Sequence, residues 1–234
     1  GPAVEANGSN INPAALKLLQ MKMPDGTYYI PNPQSLDPSR PLASQGLSFF
    51  SDPCAFTEDQ GVANGDYLHS ERSRFSARYF IADANQKVTF PSSGIVTQTG
   101  LPGSPSNTPQ RFHVASLSYN FIASPTLLNE VVAGYRRTDV ATRQTNPYSF
   151  SSIGAKAPAF FDDLPSIYIS GCCQMGGGGN QTYLQDSLSL SDSLSWIRGR
   201  HNLRAGAGYT RGLARVRDFR FNGITQYPTW PDFL

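Results

Sequence analysis

The residues able to do covalent chemistry are few and scattered. Asp162 and Asp163 stand side by side in FDDLP. Neighbours on an extended chain point apart, so they make no shared acid/base pair and suit a turn or a calcium contact. His69, His113 and His201 are isolated, without the HxH or HxxxH spacing that would hold zinc. GCCQMGGGGN (171–180) has the glycines of a phosphate loop. It lacks the Lys-Ser or Lys-Thr pair and the following helix, so it reads as a loop tip. No GxSxG elbow is present. Cys54, Cys172 and Cys173 fit no zinc pattern. They read as loop cysteines, with a bridge from Cys54 to one of the neighbouring pair as the candidate pairing. The sequence therefore assigns no catalytic residue, no metal ligand and no cofactor, and the expectation is a protein that is not an enzyme.

The charged residues with a pattern are arginines. In RSRFSARYFIA (72–82), Arg72, Arg74 and Arg78 alternate with Phe75, Ala77, Tyr79 and Ile81. In LLNEVVAGYRRTD (127–139), Glu130 and Arg136 lie opposite Val131, Ala133 and Tyr135. Period-two alternation of this kind marks half-apolar strands. RFHVASLSYNFIA (111–123) repeats it, and so does DSLSLSDSLSWIRGRHNLRAGAGYTR (186–211), with serines and glycines between its leucines and alanines. QGVANGDY (60–67) is a weaker strand, and DFRFNGITQY (218–227) would begin a seventh.

Composition suits an extracellular or outer-membrane β protein. Of 234 residues, 39% are apolar, 12% aromatic and only 15% charged. Soluble domains carry about 25% charged residues. A net charge of +2 gives no electrostatic case for nucleic acid. No apolar run reaches the roughly 18 residues of a membrane helix, but barrel strands are short and only half apolar. The chain begins at Gly1, and we expect a mature segment or a piece of a longer protein.

The connections separate two kinds of loop. LHSERS, SPT and RGR join strands tightly, whereas residues of roughly 83–110 and 140–181 form long segments. Short turns at one rim and long loops at the other are the layout of an outer-membrane barrel. Residues 1–56 are loop-rich, with one short helix over about 12–21, capped by Asn12 and started by Pro13. They read as an extracellular loop, and 57–234 as part of a barrel wall. Asp192 is the discordant residue, because it shares a face with Leu188, Leu190 and Leu194. The Trp196 that follows suggests that Asp192 lies near the membrane interface; a bulge or a strand projecting from the membrane would also account for it.

Several segments resemble one family. LSLSDSLSWIRGRHNLRAGAGYTR is similar to a barrel hairpin of TonB-dependent outer-membrane proteins of the Oar-like type. SPTLLNEVVAGYRR resembles their strand of form S-P-T-x-x-N-E-x-x-x-G-Y-x-R, and RSRFSARYF their L-x-x-R-Y strand. NINPAALKLLQMKMPDGTYYIPNP, LPSIYISG and the closing PDFL match further segments in the family's order. The resemblance runs from about residue 10 to 234. It implies a partial barrel of about seven antiparallel strands in the bacterial outer membrane. It also implies recognition of an extracellular ligand and energised transport through a TonB complex. That complex would act on a plug domain absent from this chain. Arg72, Arg74, Arg78, Glu130 and Arg136 would then face the lumen, and outer-membrane lipid would meet the apolar faces. The competing expectations are a soluble, secreted β-rich binding module, such as an adhesin or glycan-binding sandwich, and a secreted β-type hydrolase, for which only Asp162 and Asp163 offer a pair.

Overall fold

A computed structural model of the chain describes residues 3–41, 45–90, 100–145, 148–156, 166–176, 181–218 and 224–234. Asp162 and Asp163, and the glycines of the 171–180 segment from 177 on, lie outside them.

The chain opens with helix α1, Pro13–Gln20. The Asn12 side chain accepts from the Ala14 N–H at 2.9 Å, and proline occupies the first turn, where no intrahelical donor is needed. Two short strands, β1 (Ser35–Leu36) and β2 (Gly46–Leu47), pair with each other. The long strands then follow as β3 (Ala55–Ser70), β4 (Ser73–Val88), β5 (Ser106–Ser124) and β6 (Leu127–Gln144). A short helix α2 (Phe150–Ile153) and strands β7 (Ser166–Ile169) and β8 (Cys173–Met175) precede the hairpin β9 (Gln181–Arg198) and β10 (His201–Asp218). Strand β11 (Ile224–Tyr227) and a final turn of helix, α3 (Trp230–Phe233), close the described chain.

Six strands form one antiparallel meander in the order β10-β9-β6-β5-β4-β3. The expected seventh wall strand is not added. Residues 219–223 are outside the described chain, and Ile224–Tyr227 pairs in parallel with β7 in a separate three-stranded sheet. Period two identifies a strand but not its partner.

The tight turns behave as expected. Gly199 and Arg200 alone link β9 to β10, and Gly199 takes φ 58°, which fits the first central position of a II′ turn. Pro125 and Thr126 link β5 to β6, and Glu71 and Arg72 link β3 to β4. Neighbouring strands tie the turns down. Ile122 N–H donates to the Arg72 carbonyl and Ile197 N–H to the Thr126 carbonyl, each at 2.8 Å. Both register shifts in the sheet, at Leu68/Ser70 and Ile122/Ser124, fall at this end. By the alternating course of the meander, every long connection and both termini fall at the opposite end.

Continuous register aligns side chains in rows across the wall. One row reads Gly65, Ala77, Leu117, Ala133, Leu190, Tyr209, and the next towards the turns reads Tyr67, Phe75, Tyr119, Val131, Asp192, Ala207. This is the leucine face. The alternate residues form a serine face, with rows such as Asn64, Arg78, Ser116, Gly134, Ser189, Thr210.

The polarity of the faces exchanges part-way along the strands. From the turn end to the level of Tyr79, Tyr135 and Leu188, the leucine face is mainly apolar and the serine face mainly polar. Beyond that level the leucine face carries Asp83, Arg111, Asp139 and Arg215, while Phe80, Phe112, Val114 and Val140 lie on the serine face. Phe80 breaks the sequence alternation because it stands where the exchange begins. The strands have 16 to 19 residues. A tilted membrane-spanning strand needs only about 9–11. The apolar stretch of β6, Leu127 to Tyr135, fits that length, and the remainder projects past it.

The compact core lies outside this sheet. Ala15, Leu18, Tyr29, Leu101, Ile153 and Phe233 pack with Ile167, Ile169, Cys173 and Met175. The N-terminal segment, the two long connections and the C-terminal segment thus make one cap. In the six-stranded sheet the buried apolar residues are Ala82 and Ala84 alone among those described, and Leu117, Leu188, Leu190 and Leu203 stay exposed.

Candidate functional site

Two regions of the molecule could act on a partner: the cap and the two faces of the wall. In the cap, Tyr29 is 1% exposed. Its hydroxyl accepts from the Gly176 N–H at 3.3 Å and shares a hydrogen bond of 3.2 Å with Ser104 Oγ. One phenol thus joins the N-terminal segment to both long connections. Burial pushes its pKa upward, because a phenolate there would lose its water. Tyr148 packs edge-on against it at 5.6 Å between ring centroids and donates to the Lys22 carbonyl.

Beside this core lies a cleft of about 790 Å³. Phe49, Phe50, Phe90 and Trp230 supply its aromatic walls, with Arg40 at its margin. The β1–β2 pair sets the position of Phe49, whose backbone exchanges two hydrogen bonds with the Gln34 side chain. Arg40 Nε pairs with Asp37 at 3.0 Å. The Ser39 hydroxyl, and then Arg40, hold the Asp37 carboxyl below the usual carboxylate range. Cys172 and Cys173 line the cleft and are bridged to each other, while Cys54 is an exposed free thiol. The candidate bridge from Cys54 is therefore absent, since pairing depends on contacts that spacing does not reveal. Its volume falls in the range of small-molecule sites. Sequence reading missed these residues because they sit in segments without periodicity.

The arginines singled out from the sequence divide. Arg74, Arg78, Glu130 and Arg136 all lie on the serine face. Arg72 does not, because it occupies the β3–β4 turn rather than a strand. Arg74 pairs with Asp66 at 3.1 Å. Glu130 pairs at 3.4 Å with Arg204, two strands away, and Arg204 also donates to Ser193 Oγ at 3.2 Å. The acid thus finds a basic partner that the sequence reading had not named. Among the described residues, no three His, Cys, Asp or Glu converge to hold a metal.

On the leucine face, aromatic residues border the apolar stretch. Towards the turns, Tyr67, Phe75, Tyr119 and Phe121 form a stacked series, and Trp196 carries Arg198 over its ring. At the other border, the Tyr79 hydroxyl meets His113 Nδ1 at 2.7 Å, and the Tyr135 hydroxyl donates to Asp186 at 2.9 Å. Both phenols thus turn their polar ends towards the charged rows.

Strand β9 has no bulge, and Asp192 stands two rows from Trp196, in the row of the border residues Tyr67, Phe75 and Tyr119. It accepts a 2.5 Å hydrogen bond from the Asn129 amide. The bulge that would have moved Asp192 off this face is absent, and Asp192 keeps a polar partner beside the aromatic row.

A meander with an uncovered apolar face, two aromatic borders and all long connections at one end is the wall of a transmembrane β-barrel. The sequence profile of the outer membrane beta barrel domain family matches residues 2–229, and the chain belongs to that family. It is thereby a protein of the bacterial outer membrane, in contact with its lipid, rather than a secreted soluble module. No curated protein and no solved structure gives a significant match.

Proposed function

We propose that the chain is part of a TonB-dependent receptor or transporter that recognises a ligand at the cell surface and moves it across the outer membrane with energy from the inner membrane. The observation that carries this reading is the long-loop end of the wall. There the cap encloses an aromatic cleft above a sheet whose serine face carries Arg74, Arg78, Glu130 and Arg136. The cap is the extracellular part, since long loops face outward in such barrels. The cleft receives the ligand. The serine face lines the lumen, where its paired ions solvate a passage or contact a plug domain supplied outside these residues. The small side chains there leave room. The Oar-like segments noted in the sequence support the TonB-dependent class. No bond-making step is assigned to the chain, which acts by binding and passage rather than as an enzyme.

The test begins with small molecules co-purified with the full-length protein from its native outer membrane and identified by mass spectrometry. Uptake of the labelled compound is then followed in cells with and without the proton gradient. The reading expects uptake to stop when the gradient is dissipated, while surface binding persists. Passage that continues unchanged would make the protein a passive pore.

A further inference from the structure

Apart from Arg198 beside Trp196 at the turn end, the leucine face bears its arginines on the cap side. Between the aromatic borders it carries no lysine or arginine on any described strand. Arg211 stands in the border row of Tyr79 and Tyr135, and Arg137, Arg111, Arg215, Arg217 and Arg143 follow over the next four rows on the cap side. The serine face shows the reverse, with Arg74, Arg78, Arg136 and Arg204 in or beside the turn-side half. A merely solvated surface has no reason to sort cations this way.

The acids on the same face are partly used. Arg111 holds Asp83 at 2.6 Å, and Arg137 lies 3.9 Å from Asp186. Arg211, Arg215 and Arg217 share the leucine face of β10 with Leu213 and pair with Leu188, Leu184 and Thr182 across the strand pair. None of these three has an acidic partner among the described residues. Arg211 lies in the border row of Tyr79 and Tyr135, and Arg215 and Arg217 lie two and three rows beyond it.

We propose that this arginine belt, centred on Arg211, Arg215 and Arg217, docks the phosphate groups of outer-leaflet lipids. Guanidinium groups match phosphate oxygens with paired N–H donors and are less heavily hydrated than lysine ammonium groups. The belt continues directly from the lipid-facing band and points away from the lumen, so its occupant is a lipid headgroup rather than a solute in passage. The inference rests on the outer-membrane placement of the chain and is independent of the transport reading.

The full-length protein, stripped of lipid in detergent, is mixed with lipid A, with phosphatidylcholine and with inorganic phosphate, and retention is read by native mass spectrometry. Lipid A is expected to be retained over phosphatidylcholine. The triple variant Arg211→Gln, Arg215→Gln, Arg217→Gln should weaken that retention by about tenfold to a hundredfold. Removing Arg74 and Arg78 should leave it within about twofold of the unaltered protein, since those side chains lie on the opposite face of the wall. Unchanged retention in the triple variant, equal loss from the other face, or full displacement by inorganic phosphate matched to the lipid phosphate would each overturn the proposal. Should the triple variant not fold, the unaltered protein carries the test. A lipid A probe photoactivatable at its headgroup must label the 201–218 peptide, and labelling confined to other peptides refutes the belt.

Discussion

Asp192 is the side chain most at odds with its surroundings. A charge on the lipid face of a barrel is destabilising, and Asn129 supplies one hydrogen bond to offset it. Asp192→Asn keeps a polar partner for Asn129 and removes the charge. It should raise unfolding stability in lipid by about 1 kcal/mol. Urea unfolding in vesicles at neutral pH reads this directly; a loss of stability would mean that the carboxylate meets a protein partner there rather than lipid. Tyr29 gives a second prediction, in the cap. Its folded pKa is raised above its ordinary value of 10.0 by burial, so the neutral phenol is the form that fits. The stability it contributes is complete below pH 10 and is lost as the pH rises through the raised folded value. The near-ultraviolet circular dichroism of the cap should therefore collapse in alkali before the wall unfolds. Tyr29→Phe should shift that step to higher pH, at a cost near neutrality of about 1–2 kcal/mol for two lost hydrogen bonds. An unshifted step would assign it to another group.

The strands show how much of this was legible in advance. Phe75, Ala77, Tyr79 and Ile81 alternate so regularly that their face follows from period two alone, and RGR and SPT mark their turns by residue type. The other end of each strand was harder. Where Phe80, Phe112 and Val114 move the apolar side to the serine face, one regular alternation becomes two in opposite phase, and a single period cannot register both. The strand drawn from DFRFNGITQY failed differently, because the partner of Ile224–Tyr227 is β7 and lies 58 positions earlier in register. The cleft residues Phe49, Phe50 and Phe90 come from aperiodic segments, where only the fold brings them together. The glycines of β10 also acquire a more specific role. A side chain at Gly206 would place its Cβ 2.6 Å from the Asp192 carbonyl oxygen and 3.2 Å from Ser193 Cα, both of them backbone atoms that cannot swing away. Gly206→Val should therefore weaken the β9–β10 hairpin by about 1–3 kcal/mol. Gly212→Val, with nothing within 4 Å of its Cβ, should not. Equal effects in urea titrations of the two variants would show that lumen crowding, rather than strand contact, sets the glycine requirement.

At the scale of the whole molecule, wall and cap are held by different physics. The cap has a small apolar core gathered from segments far apart in sequence, whereas the wall is held by ladders between neighbouring strands and leaves both faces to their surroundings. That division makes sense only if lipid takes the place of a second layer over the leucine face. Its most direct test is a collision-accessibility scan with spin labels on single cysteines, introduced after replacing Cys54, in the full-length protein in vesicles. Labels at positions 117 and 190 should collide with oxygen and be shielded from a water-soluble nickel chelate, and labels at 118 and 189 should show the opposite preference. Past the tyrosine border, a label at 111 should become open to nickel. Equal nickel access at 117 and 118, or oxygen preference persisting at 111, would contradict the account of a lipid-facing band that ends at the tyrosines.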